Sequence, residues 1–228
     1  MFSSAVTFEV FISQRKGKMR FELFAVFCVI SLCKSKLLTS EDDVTNLIKN
    51  AGFKGEAHEV ESEDGYFLRL HRVLPKVKKC SIKNPIFLMH GILATSADFL
   101  ITGPEIALGY LLADNGYDVW LGNARGNKYS TNHRNLSSLS MEFWNFSWHE
   151  IGFYDLPAMM NYMLNVTKTT KAFYAGHSQG TTSFLVLLST QPKFNEKIIQ
   201  AHLMAPSAFR KKLPRLKTIV YFFEYLVS

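Results

Sequence analysis

The chain has 228 residues, 47% apolar, 14% aromatic and 20% charged, with a formal net charge of +7. That composition excludes a disordered chain, a collagen-like repeat and a disulfide-dense miniprotein, and it suits one α/β domain, with two small domains as the second choice. The modest positive charge is spread along the sequence with one cluster near its end, which argues against nucleic acid as a partner.

Arg15, Lys16, Lys18 and Arg20 precede residues 23–32, ten residues without a charge, and small residues follow at Cys33 and Ser35. That pattern reads residues 1–35 as a secretory signal peptide. The apolar run is half of the roughly 20 residues that a membrane span needs. Glu9 and Glu22 oppose a mitochondrial presequence. Met19 offers a second start, which would make residues 1–18 upstream sequence. Removing 1–35 takes away Cys28 and Cys33 and leaves Cys80 alone, an odd thiol without an internal partner. Asn135, Asn145 and Asn165 each open a glycosylation triplet, in keeping with secretion.

The remaining residues, 36–228, alternate strand and helix signals. Ser40 to Asp43 reads as a capping box, and Val44, Leu47, Ile48 and Ala51 recur at helical spacing up to Gly52. An alternating stretch over 56–61, the pair Asp64-Gly65 and the run 66–73 predict a β-hairpin. Residues 85–89 form a continuous apolar run, as in a strand buried on both faces. The sequence then predicts a helix over 105–115 closed by Gly116, a strand over 117–121, and a helix over 147–164 with Pro157 as a possible kink. A strand over 171–175, a helix over 178–190 and a strand over 197–205 follow. An antiparallel hairpin before strand–helix repeats implies a mixed sheet with helices on both faces.

Gly176-His-Ser-Gln-Gly180 is a nucleophile-elbow pattern between an apolar strand and a helix, the context it requires. Side chains at Gly176 and Gly180 would collide with neighbouring backbone in so tight a turn. Ser178 would then project at the sheet's C-terminal edge, at the positive end of a helix; the plain alternative is a serine that N-caps an ordinary helix. His90-Gly-Ile-Leu93 closes an earlier strand. The N–H groups of Ile92 and Gln179 are the expected oxyanion donors, each typically worth about 3 kcal/mol in the transition state. No His, Cys or Asp cluster has ligand spacing, so neither a metal nor another cofactor is called for.

With these motifs in place, residues 40–228 resemble the acid lipase family of animals, which includes gastric and lysosomal acid lipases. The matching stretches begin at Glu63-Asp-Gly-Tyr66, His90-Gly-Ile-Leu-Ala94, Gly116, Arg125-Gly-Asn127, Phe143-Trp144, Tyr154-Asp-Leu-Pro-Ala158, Gly176 and Ala205-Pro206. The resemblance implies an α/β-hydrolase fold, secretion or lysosomal delivery, and hydrolysis of neutral lipid esters such as triacylglycerol or sterol esters at a lipid–water interface. It carries the nucleophile to Ser178 and the oxyanion hole to Ile92 and Gln179. Oligomeric state is not addressed by the sequence.

Several conspicuous residues carry plainer expectations. Trp120, Asn123, Arg125 and Asn127 read as a structural loop, with Arg125 buried and hydrogen-bonded. Asp155 precedes the elbow, so chain order makes it a structural ion pair rather than a triad acid. His177 is expected to sit under the elbow turn. Trp144, Phe146 and Trp148 fit either core or an acyl pocket, core being the commoner case. Arg210, Lys211, Lys212, Arg215 and Lys217 read as a solvated face, or less commonly as a dock for anionic lipid.

A serine nucleophile needs a histidine base and an acid that orients it, in the chain order Ser, Asp or Glu, His. After Ser178 the sequence holds no Asp, only Glu196 and Glu224, and one histidine, His202. His202 falls within the last predicted strand, not on a loop beyond a later one. The resemblance places the family's catalytic Asp and His beyond Ser228, and the start of its lid near Phe209. The expectation is therefore the N-terminal part of a lipase domain, short of its last strands and most of its lid. A non-catalytic lipid-binding protein on a hydrolase half-fold is the alternative.

Overall fold

The computed structural model describes residues 43–75 and 83–208. The leader at 1–35, Ser40, Cys80, Phe209 and the basic group at 210–217 lie outside the described residues. Helix α1 (Asp43–Asn50) leads into the hairpin of β1 (Lys54–Glu61) and β2 (Tyr66–Leu74). Strand β3 (Lys83–Met89), helix α2 (Leu108–Asp114), β4 (Tyr117–Gly122) and the two-residue β5 (Asn132–His133) come next. Helix α3 (Leu156–Thr167), β6 (Ala172–His177), α4 (Gln179–Thr190) and β7 (Ile198–Met204) complete the described chain.

The seven strands form one sheet in the order β1-β2-β4-β3-β6-β7, with β5 paired to β2. Strands β4, β3, β6 and β7 run parallel, whereas β1, β2 and β4 alternate in direction. The apolar run of β3 explains its central position. Phe87 and Met89 enter the core cluster under α3 and α4, while Ile86 and Leu88 enter the opposite cluster under α1 and α2. All four are buried. A strand with both faces covered has no need of alternation.

Two helices differ from expectation. Helix α2 starts at Leu108 rather than at residue 105. Gly103 has φ +92, and the N–H groups of Ile106 and Ala107 both bond its carbonyl, so turns occupy the segment before an extended Ala107. Ile106 is left 70% exposed there, whereas Tyr110 and Ala113 of the helix are fully buried. The helix begins where its apolar face can be covered.

From Trp148 to Thr167 the chain is helical throughout. Ser147 caps the first turn: its Oγ accepts the His149 N–H at 3.1 Å, and Glu150 accepts the Ser147 N–H at 2.7 Å. The irregularity is a π turn, Ile151–Asp155, which precedes the α-helical segment whose first turn contains Pro157. Pro157 has no N–H to donate back into this turn, and the Phe153 carbonyl four residues earlier accepts the Gln191 side-chain amide at 2.8 Å instead. Gly152 lets the π turn approach α4, because a Cβ at this position would strike the Ser183 carbonyl and the Val186 side chain.

Candidate functional site

The site is built where β3 and β6 end beside each other, with Met89 paired to Gly176. A chain leaving β6 must reverse at once into α4, and Ser178 takes the strain, with φ 49 and ψ −113. A non-glycine residue held at positive φ costs on the order of 1–3 kcal/mol and persists only where its surroundings enforce it. The enforcement is visible. The Ser178 N–H donates to the Met204 carbonyl at 3.0 Å, and the Ser178 carbonyl accepts the Thr181 N–H and hydroxyl at 2.9 and 2.6 Å. The Ser178 side chain makes no capping bond to α4. An ordinary N-cap serine would have made one.

The elbow glycines sit where the sequence requires them. A Cβ on Gly180 would lie 2.6 Å from the Met89 carbonyl oxygen and 2.9 Å from that of His90. One on Gly176 would lie 2.9 Å from the Gly180 carbonyl carbon. The expectation for His177 fails: the residue is exposed. It follows Ala175 on the opposite face of β6, while Tyr174 occupies the space beneath the turn. The Tyr174 hydroxyl donates to the Gly180 carbonyl at 2.7 Å, and its ring stacks on Phe184 at 3.9 Å.

Across from Ser178 runs the loop His90-Gly-Ile-Leu93. A Cβ on Gly91 would come within 3.2 Å of the Ser178 Cβ, so the loop and the elbow are in direct contact. The loop turns through Leu93 at φ 59, with the Ala94 N–H donating to the Gly91 carbonyl at 3.3 Å. Among the described residues, neither the Ile92 N–H nor the Gln179 N–H has a hydrogen-bond acceptor. Two donors without partners beside a serine at the sheet's edge are what an acyl-transfer site needs.

His90 anchors this loop from below. Its Nε2 accepts the Ala124 N–H and the Asn127 amide, each at 3.1 Å, so Nδ1 carries the proton and donates to the Gly91 carbonyl at 2.7 Å. Burial pushes the imidazole down to about 4, which keeps it neutral. Asn123 holds the next layer: it accepts the Ser96 N–H at 3.0 Å and the Asn127 amide at 2.8 Å, and it donates to the Arg69 carbonyl at 3.0 Å.

Arg125 is buried and fully bonded, as its sequence context suggested. Its Nε donates to Asp155 at 2.8 Å, and two guanidinium nitrogens reach Asp64 at 2.6 and 2.8 Å. The Arg125 backbone N–H adds a bond to Asp155 at 3.0 Å, and the Tyr66 ring lies 3.9 Å from the guanidinium. Asp155 is a structural anion, remote in role from Ser178. Burial pushes it up to about 6 against the pull of Arg125. Asp64 is held below its usual range: burial opposes this, and the Arg125 and Ser62 bonds outweigh it.

A cleft of about 610 Å³ opens between the loop after β3, the loop after β4 and the start of the 147–167 helix. Ile92, Leu93, Trp144, Phe146, Trp148 and Gln179 are among the residues that line it. Trp144 and Trp148 are each 46% exposed. Trp144 and Trp148 are thus cleft wall rather than core, whereas Phe146 is partly buried and packs against the core as well as lining the cleft.

All seven histidines of the chain lie among the described residues, and none bonds Ser178. His58 bonds Tyr162 and Glu56 on β1, and His71 is buried against Ser96. His133 donates to the Asp64 carbonyl and accepts two backbone N–H groups. His149 stacks on Phe153, and His202 lies exposed on β7. Asn135, Asn145 and Asn165 are all exposed.

Residues 84–228 match the model of the alpha/beta hydrolase fold family, and residues 44–103 match a partial alpha/beta-hydrolase lipase region. Lipase 1 of Drosophila melanogaster is 46% identical over 188 residues, covering 81% of this chain and 42% of that protein. The human lysosomal acid lipase/cholesteryl ester hydrolase is 40% identical over 203 residues, covering 84% of this chain and 51% of that protein. The chain therefore spans about half the length of the curated relatives it matches. A Pyrococcus furiosus esterase structure shares the fold, with TM-score 0.52 at 17% identity over 77% of this chain and 63% of that one. The chain belongs to the α/β-hydrolase fold family.

Proposed function

We propose that the chain carries the nucleophile and oxyanion half of a serine hydrolase that cleaves carboxylic esters of neutral lipids. The observation that carries the reading is Ser178, strained at φ 49 between β6 and α4, beside the N–H groups of Ile92 and Gln179, which have no acceptor among the described residues. In this reading the Ser178 Oγ attacks the acyl carbonyl and its proton passes to a histidine base. The Ile92 and Gln179 N–H groups hold the oxyanion, the alcohol leaves, and water releases the fatty acid from the acyl-enzyme. None of the seven histidines bonds Ser178, so the reading assigns the base to polypeptide outside these 228 residues.

The apolar, aromatic wall of the cleft supports a long acyl chain as the part of the substrate bound there. Similarity to a cholesteryl ester hydrolase supports triacylglycerol or sterol esters as the class. The reading places the protein in the secretory pathway, as a secreted or lysosomal enzyme, supported by the leader pattern and three exposed sequon asparagines. No helix of the described residues is long and apolar enough to cross a membrane.

The missing partner of Ser178 gives a second reading some support, a lipid-binding protein without turnover. One experiment separates the two. Ser178→Ala in the full-length enzyme is expected to abolish ester hydrolysis and fluorophosphonate labelling while lipid binding persists. Hydrolysis that survives Ser178→Ala removes the nucleophile assignment; a full-length wild type that binds lipid but never turns over establishes the second reading.

A further inference from the structure

We propose that His90 is a positioning residue for the oxyanion donor of Ile92, acting through the tautomer that the loop after β4 imposes on it. The inference rests on the assignment of Ile92 as an oxyanion donor. The Gly91 carbonyl and the Ile92 N–H belong to one planar trans peptide, so they point in opposite directions and rotate as one unit. His90 Nδ1 holds that carbonyl at 2.7 Å, a shorter bond than the 3.3 Å one from the Ala94 N–H across the turn. Whatever fixes that carbonyl therefore also fixes the Ile92 N–H, on the loop that touches Ser178.

The imidazole can donate from Nδ1 as a neutral ring only if Nε2 is an acceptor. Two donors point at Nε2: the Ala124 N–H and the Asn127 amide, each at 3.1 Å. The Ala124 donor is backbone and cannot be flipped, which removes the ambiguity usual for a histidine ring. Asn127 is itself oriented, since its amide also donates to Asn123 and its oxygen accepts the Tyr129 N–H at 3.0 Å. The loop after β4 contributes Ala124 and Asn127 to the cleft wall as well. A relay therefore runs from the cleft wall through His90 to the donor peptide. His90 itself is buried behind the loop and is not a base.

The test compares His90→Leu, which fills space without a donor, with His90→Asn, whose side-chain amide can stand near the Nδ1 position. Both are made in the full-length enzyme beside wild type and Ser178→Ala, with short-chain ester kinetics, active-site titration and folding by near-UV circular dichroism. Losing one oxyanion donor typically lowers kcat by about 10²–10³-fold. His90→Leu is expected to approach that loss with KM within about two-fold, and the affinity of an alkyl trifluoromethyl ketone should fall in parallel with kcat/KM. His90→Asn is expected to recover at least about ten-fold of the lost kcat.

A His90→Leu enzyme within about three-fold of wild-type kcat overturns the proposal. So does a loss explained by KM or by fewer titratable sites, or an Asn variant no better than Leu. If His90→Leu does not fold, His90→Asn decides alone: kcat within about ten-fold of wild type supports the relay, and a larger loss overturns it. An active Ser178→Ala enzyme would instead remove the underlying assignment, whatever the His90 variants do.

Discussion

Replacing Arg125 with Met tests the account of the buried ion cluster most severely. The wild-type guanidinium is 1% exposed and bonds Asp155, which is fully buried, and Asp64, which is partly exposed. Methionine fills much of the same space but leaves Asp155 with the residue-125 backbone N–H as the bond remaining from this cluster. Breaking a buried pair by removing one partner costs about 3–5 kcal/mol, because the surviving charge has lost its compensation. A value near 4 kcal/mol would lower Tm by roughly 8–16 °C for a domain of this size.

The sign of the pH dependence follows from Asp155. Its folded pKa is already raised to about 6 by burial, and without Arg125 it rises further. A carboxyl with a raised pKa is harmless when protonated. It costs stability as pH rises from the unfolded to the folded value, at about 1.4 kcal/mol for each pH unit between them. The deficit of Arg125→Met is therefore expected to be larger at pH 8 than at pH 5. Adding Asp155→Asn should recover about 2 kcal/mol at pH 7, since it removes the stranded charge. Urea unfolding followed by tryptophan fluorescence measures wild type and both variants. A deficit below about 1 kcal/mol, or one that is flat with pH and made worse by Asp155→Asn, would refute the reasoning.

Gly180→Ala should destabilise the fold by about 1–3 kcal/mol through overpacking and, on the proposed reading, lower kcat more than Tm suggests, because the new Cβ meets the Met89 and His90 carbonyls at the start of the loop that carries Ile92; ester kinetics at wild-type rate would contradict this. His71 and His90 are pushed by burial down to about 3 and about 4, against about 6.5 in the unfolded chain. Their contribution is complete above the unfolded value and is lost as pH falls, so each should cost about 2 kcal/mol between pH 7 and pH 5. Urea midpoints that do not fall over that interval would be incompatible with both rings being buried and neutral. The 228-residue polypeptide by itself is expected to show at most the residual 10³–10⁴-fold acceleration, roughly, that a site lacking its base retains. Efficient turnover that disappears with Ser178→Ala would mean that one of the seven histidines reaches the nucleophile.

The parts of this molecule that depend on neighbours in sequence were legible in the sequence. Five residues, Gly176 to Gly180, specify the elbow because the turn's steric demands fall within the turn itself and on the strand directly beside it. The run 85–89 declares a strand covered on both faces because burial on two sides requires apolarity at every position. Tertiary structure decided everything carried by contacts between distant segments. Asp64, Arg125 and Asp155 are separated by 61 and 30 residues and become one cluster only after β2, β4 and the π turn are assembled. His90 reads as a strand-terminating residue until Ala124 and Asn127 arrive at its Nε2. Tyr174 rather than His177 sits beneath the elbow because the strand's twofold alternation assigns each to a different face. Trp144 and Trp148 line a cleft rather than a core, since apolarity alone does not distinguish a wall left open from one that is covered.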